Sequence, residues 1–125
     1  MAQALVDTSI LIDIMRQYPP AIAWFLTQKD IGVSPISYME LVGGSRDKVD
    51  QQKALRLLSQ FEIVFLTPDD FRWAMQAQIN FGLAYAIGLP DFLIASPHVR
   101  LNIPLYSRNI KHFKPLLGHL VSSPY

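Results

Sequence analysis

The sequence predicts an α/β fold in which one parallel sheet is covered by helices on both faces. Two observations carry this. Short apolar runs with strand character alternate with stretches of helical periodicity along the whole chain, and strands separated by helices form βαβ units with right-handed crossovers, so the strands run parallel. The 125 residues are 50% hydrophobic and 17% charged, which excludes intrinsic disorder and predicts one domain, residues 1–125, with a sizeable apolar core. So small a domain leaves apolar surface over, and a second subunit or a bound partner is expected to cover it.

Residues 4–6 are short and apolar and end at Asp7-Thr8-Ser9; helical spacing over 10–15 follows, a strand running into a helix. Pro19-Pro20 opens a second helix with Ile22, Phe25 and Leu26 on one face, ended by Lys29-Asp30. Residues 31–34 read as a second strand. After Pro35, Ser37-Tyr38-Met39-Glu40 has the spacing of a capping box, and the helix it starts stops at Gly43-Gly44. Residues 49–60 form a helical stripe through Leu55 and Leu58, and 63–66 (Ile-Val-Phe-Leu) make the clearest strand signal in the chain. Thr67-Pro68-Asp69-Asp70 then caps a long helix, with proline in its first turn and two carboxylates at the positive end of its dipole. Gly88-Leu89-Pro90 breaks that helix, Asp91 starts another, residues 103–106 are a further strand, and Leu120-Val121 add a last one. Trp24 and Phe25 lie about 100° apart on one helix, so one of the two can face solvent or a partner.

Composition removes several chemistries. There are no cysteines, hence no disulfide framework, thiol nucleophile or cysteine-held zinc. His98, His112 and His119 all lie late in the chain without HExxH spacing, which argues against zinc altogether. The net charge is +1, so attraction to nucleic acid must be local. The N-terminal residues lack a basic leader region and are interrupted by Asp7 and Asp13, and no run suits a membrane span; a cytoplasmic location without membrane contact is expected.

Ligands of open parallel sheets sit beyond the carboxyl ends of the strands. That rule selects Asp7, directly after the first strand, and Asn109, just after the strand at Leu105-Tyr106; Glu40 and Asp91 open helices that can face the same edge. Converging carboxylates repel one another, and a divalent cation relieves this; oxygen-only ligands suit magnesium or manganese. Each residue also has an ordinary structural use: Glu40 as the capping-box partner of Ser37, Asp7 and Asp91 as helix caps, Asn109 as a turn residue.

The local sequence around these residues resembles PIN-domain proteins, the family that includes VapC-type toxins of bacterial toxin–antitoxin pairs. Four segments carry the likeness in the family's order: Val6-Asp7-Thr8-Ser9-Ile10-Leu11-Ile12-Asp13; Ser37-Tyr38-Met39-Glu40-Leu41 with Gly43; Gly82-Leu83-Ala84 followed by Leu89-Pro90-Asp91-Phe92-Leu93-Ile94-Ala95; and Leu105-Tyr106-Ser107-Arg108-Asn109-Ile110-Lys111-His112-Phe113. The resemblance implies a PIN-like three-layer α/β/α sandwich with a central parallel sheet. It further implies that Asp7 and Asp91 bind a Mg2+ or Mn2+ ion, that Glu40 completes the acidic pocket and joins them at the metal, and that Asn109 stands at the fourth corner. The implied activity is metal-dependent endoribonuclease, a homodimer inhibited by a cognate VapB-type antitoxin. Two positions depart from the pattern: Asn109 stands where aspartate is frequent, and Pro97 follows the Leu-Ile-Ala stretch, where it deletes a helix hydrogen bond at the Leu93 carbonyl.

The chemistry expected is phosphodiester hydrolysis, with a water oriented or deprotonated by Glu40; Thr8 and Ser9 either hold Asp7 through their hydroxyls or serve only as helix-start residues, the commoner use. No acidic residue follows Asp91, while Arg100, Arg108, Lys111 and Lys114 do; these four are the expected grip on an RNA backbone, unless they form only a solvated face. Other carboxylate enzymes fit less well. A haloacid-dehalogenase-like phosphatase needs a second aspartate where Ser9 stands, and a phospho-receiver domain needs an acidic pair that this chain lacks before Asp7. The remaining alternative is a catalytically inactive PIN-fold binding module, motivated by Asn109 and Pro97.

Overall fold

Five parallel strands, β1 (Ala4–Val6), β2 (Ile31–Val33), β3 (Glu62–Ile63), β4 (Leu105–Tyr106) and β5 (Val121–Ser122), form one sheet in the order β3-β2-β1-β4-β5. The structure is a computed structural model describing residues 1–125. Seven helices connect the strands: α1 (Thr8–Met15), α2 (Pro19–Phe25), α3 (Pro35–Gly43), α4 (Lys48–Leu58), α5 (Pro68–Phe81), α6 (Leu89–Leu101) and α7 (Ile110–Leu117). Alternation along β1 divides the core. Ala4 and Val6 pack with Ile31 and Val33 under α1 to α4, whereas Leu5 points the other way into a cluster with Leu105 and with Ile94, Ala95, Phe113 and Leu117 of α6 and α7. Helix α5 lies outside α6, joined through Ala74, Ala77 and Phe92. The result is the three-layer α/β/α sandwich with a central parallel sheet that the sequence predicts.

Gly32 sits beside Leu5 in the register, and a Cβ there would meet Leu5 Cδ2 at 2.7 Å and Ala2 Cβ at 2.8 Å. The Leu5 and Ala2 side chains can lie over β2 only because that residue has no side chain.

Several local expectations are corrected. The strand expected over 63–66 is confined to Glu62–Ile63, with one more bond from the Val64 amide to the Val33 carbonyl. Its partner β2 ends at Val33 and turns into α3, so nothing remains for Phe65 to pair with, and that side chain is exposed. The capping box at Ser37 is also absent. Helix α3 starts earlier, with Ser34 as its cap accepting from the Ile36 amide and Pro35 in the first turn; Ser37 is interior to the helix, and its buried hydroxyl has no partner. A capping box does occur between Thr67 and Asp70, where each side chain meets the other's backbone amide. Neither Trp24 nor Phe25 is an exposed side chain: Trp24 packs edge-on against Tyr106 and Phe25 stacks on Phe61.

Pro97 leaves α6 continuous from Leu89 to Leu101. The carbonyl of Leu93, which the proline cannot bond, accepts instead from the Ser96 hydroxyl at 2.8 Å. The neighbouring serine thus supplies the donor that the proline removed.

Candidate active site

In the order β3-β2-β1-β4-β5 the chain winds outward in opposite directions from β1, so the switch point lies between the carboxyl ends of β1 and β4. Such a crevice is where doubly wound sheets accept ligands. Asp7 is the first residue after β1 and Ser107 the first after β4.

Asp7 is 3% exposed and serves as the N-cap of α1 by position, with its side chain aimed elsewhere. Its Oδ2 accepts from Ser107 Oγ at 2.7 Å and from Ser9 Oγ at 2.9 Å. Each of those hydroxyls in turn accepts from a main-chain amide, Ser107 from Asn109 N–H at 2.9 Å and Ser9 from Arg108 N–H at 3.1 Å. With a lone pair of each hydroxyl taken by an amide, both hydroxyl protons are directed onto Asp7. The loop after β4 therefore fixes the rotamer of a carboxylate 100 residues away in sequence. Oδ2 is saturated, and Oδ1 accepts from no protein donor.

Asp91, in the first turn of α6, presents Oδ2 to Nδ1 of His112 at 3.3 Å. Burial raises its carboxyl above the ordinary range; the facing His112 opposes this and the charge of Asp7 adds to it. The two aspartates thus sense one another across the switch point. Glu40, exposed on α3, accepts from Thr8 Oγ1 at 2.6 Å through Oε1. Thr8 therefore orients Glu40 and not Asp7, while Ser9 does hold Asp7. Asn109 precedes α7 as its N-cap residue, and its exposed side chain makes no capping bond.

No three acidic or histidine side chains lie close enough to hold one ion together. Asp7 and Asp91, which sense one another's charge and each keep an oxygen free of protein donors, form a pair whose chemistry fits a cation. Two carboxylates with the remaining positions left to water and phosphate oxygens suit magnesium or manganese; Glu40 on α3, the third expected acid, is held by Thr8.

Two of the four expected RNA-gripping cations are engaged within the fold. Arg100 forms a two-pronged bridge to the buried Asp70, Nε to Oδ1 and Nη2 to Oδ2, both at 2.9 Å. Arg108 binds Asp13 at 3.0 Å and lies over the rings of Tyr18 and Tyr125. Lys111 and Lys114 are exposed and carry no carboxylate partner. Ser107 escaped the sequence reading although the rule that selected Asn109 points to it first, as the residue directly beyond the strand.

A family model described as PIN domain matches residues 4–114. No curated protein matches the chain. Among solved structures, it is similar to a chain of a toxin–antitoxin complex from Klebsiella pneumoniae, with 28% identity, TM-score 0.79 and 98% of each chain covered. It is also similar to a chain of VapBC2 from Rickettsia felis bound to a DNA fragment from their promoter, with 25% identity, TM-score 0.77, and 96% of this chain and 97% of that one covered. A chain of DNA-bound VapBC from Salmonella typhimurium has the same fold over 100% of both chains, at TM-score 0.79 and 18% identity.

Proposed function

This chain belongs to the PIN-domain family, and from that premise we propose that it is a metal-dependent endoribonuclease, the toxin of a VapBC-type pair held in check by a VapB-type antitoxin. The observation that supports this reading best is the Asp7 carboxylate at the β1/β4 switch point, braced by Ser9 and Ser107 on one oxygen, open on the other, and coupled to Asp91. In this reading Asp7 and Asp91 hold a Mg2+ or Mn2+ ion, which when bound polarises the scissile phosphate and makes water more acidic. Ser9 and Ser107 keep Asp7 in one rotamer, so that its free oxygen needs no reorganisation. Glu40, steadied by Thr8, receives the proton of the attacking water, and the P–O bond to the ribose oxygen breaks as that oxygen takes up a proton from solvent. In the same reading Asn109, two residues beyond Ser107, offers a neutral amide donor to a phosphate oxygen, and Lys111 and Lys114 attract the backbone.

The cleft between α1, α3 and α4, where Ile12, Met15 and Leu41 adjoin Glu40, Arg46 and Lys53, offers an antitoxin segment an amphipathic seat next to the site. No helix is long and apolar enough to cross a membrane.

The test is incubation of the purified protein with total RNA in magnesium. Cleavage that is lost with chelator and lost in Asp7→Asn is the expected result. RNA binding with no cleavage under any divalent ion would instead favour an inactive binding module, the reading suggested by Asn109 and by the lack of a three-carboxylate cluster.

A further inference from the structure

One face of α1 leads from the candidate active site to a second polar groove. Ser9, Asp13 and Arg16 recur at four and three residues, so they share that face, and Arg16 lies about 10 Å along the axis from Ser9. Together with Gln17, Tyr18 and Arg108 they line a groove of about 570 Å³. Ser9 belongs to both places, since its hydroxyl also donates to Asp7.

The end of α1 is built to present these side chains. The Tyr18 amide bonds the Asp13 carbonyl at 3.0 Å and the Gln17 amide bonds that of Ile14 at 3.0 Å, a Schellman termination. Its left-handed position, φ +58°, is filled by Gln17 and not by glycine. That backbone region favours glycine, and a glutamine there keeps an amide side chain at the groove. Asp13 would repel a phosphate if it stood alone. It accepts from Arg108 at 3.0 Å and from the Tyr125 hydroxyl at 2.7 Å, so its charge is spent on holding Arg108. Burial, and then the bond to Asp13, keep that phenol protonated well above its ordinary value. Arg16 makes no ion pair, and Tyr18 is 41% exposed with its ring supported by Tyr125 and Arg108. An unpaired guanidinium beside a braced, half-open aromatic ring is what a single-stranded nucleic acid needs: a backbone contact and a stacking platform.

We propose that this groove is a nucleotide subsite for RNA, in which Arg16 contacts a backbone phosphate and Tyr18 stacks on a base flanking the scissile bond. The proposal rests on the ribonuclease reading above and adds to it the path by which substrate leaves the metal pair.

The experiment uses the whole protein and a short fluorescein-labelled single-stranded RNA, with binding measured in calcium and cleavage in magnesium. Tyr18→Leu preserves apolar bulk against Tyr125 but removes the platform; affinity should fall about 5- to 150-fold, with Tyr18→Phe restoring it. Arg16→Ala should reduce the slope of log affinity against log salt by about 0.7 and raise KM more than it lowers kcat. Lys48→Ala, which removes the same charge from α4, is the control. Equal binding by Tyr18→Leu and wild type, or equal slopes for Arg16→Ala and Lys48→Ala, overturns the subsite while wild-type cleavage leaves the ribonuclease reading standing. A wild-type protein that neither binds nor cleaves RNA overturns both.

Discussion

Asp91 is held in a place that suits its charge poorly, since burial and the nearby Asp7 both raise its carboxyl against the pull of His112. Removing that charge should relieve the metal-free protein, so Asp91→Asn is expected to melt higher than wild type without divalent ions. With magnesium at roughly 100 times Kd, wild type should gain about 2.7 kcal/mol and the variant much less. Thermal denaturation with and without magnesium checks both, and an undiminished magnesium shift in the variant would remove Asp91 from the metal pair. His98 poses the opposite problem. It is fully buried on α6, Nδ1 lies 2.8 Å from the Ile103 carbonyl and therefore carries the proton, and Nε2 has no partner. Burial pushes its pKa down to about 4. The unfolded chain binds a proton below pH 6.5 that the folded chain refuses, so stability is full above pH 6.5 and falls by about 3 kcal/mol toward pH 4. His98→Asn can keep the donor to Ile103 without titrating. Its denaturation midpoint should therefore vary less than wild type's between pH 6.5 and 4; equal slopes would show that the acid sensitivity arises elsewhere.

Helix α6 shows how an element is held where its own sequence resists it. Pro97 removes a hydrogen bond, and Ser96 returns a donor to the orphaned Leu93 carbonyl. Near its end, Arg100 reaches across to Asp70, which is 2% exposed in the first turn of α5. Burial alone would raise that carboxyl; the bonds from Arg100 and Thr67 outweigh it and hold it below the ordinary carboxylate range. Arg100→Ala leaves a buried charge without its cation, and a loss of about 2–4 kcal/mol in chemical denaturation is expected. The same substitution should leave the salt slope of RNA binding unchanged, whereas Lys111→Ala and Lys114→Ala should each reduce it by about 0.7. A flattened slope for Arg100→Ala would mean that the bridge to Asp70 opens to admit a phosphate.

At the scale of the molecule, the outer face of α5 has no partner within the chain. Phe71, Met75 and Ile79 recur every four residues along it, the last two 65% and 73% exposed, and no charged residue occurs from Trp73 to Pro90. A neutral apolar stripe can meet its own copy about a two-fold axis without like charges facing one another, so the homodimer that the family resemblance implies is expected to pack on it. Ile79→Glu should then sediment as a monomer at concentrations where wild type is dimeric; an unchanged dimer would move the interface elsewhere. The sequence alone determined the alternation of elements, hence the parallel sheet, because hydrophobic period, prolines and caps act over a few residues. It also marked Asp7 and Asn109 as residues beyond strand ends. Ser107 was overlooked, Thr8 was assigned to Asp7 when it holds Glu40, and Arg100 was read as a free cation. Only the tertiary structure decided these, by setting β4 beside β1, α3 beside α1 and α6 beside α5. A hydroxyl or guanidinium takes the carboxylate that packing brings within about 3 Å, and for Ser107 and Arg100 that carboxylate lies 100 and 30 residues away along the chain.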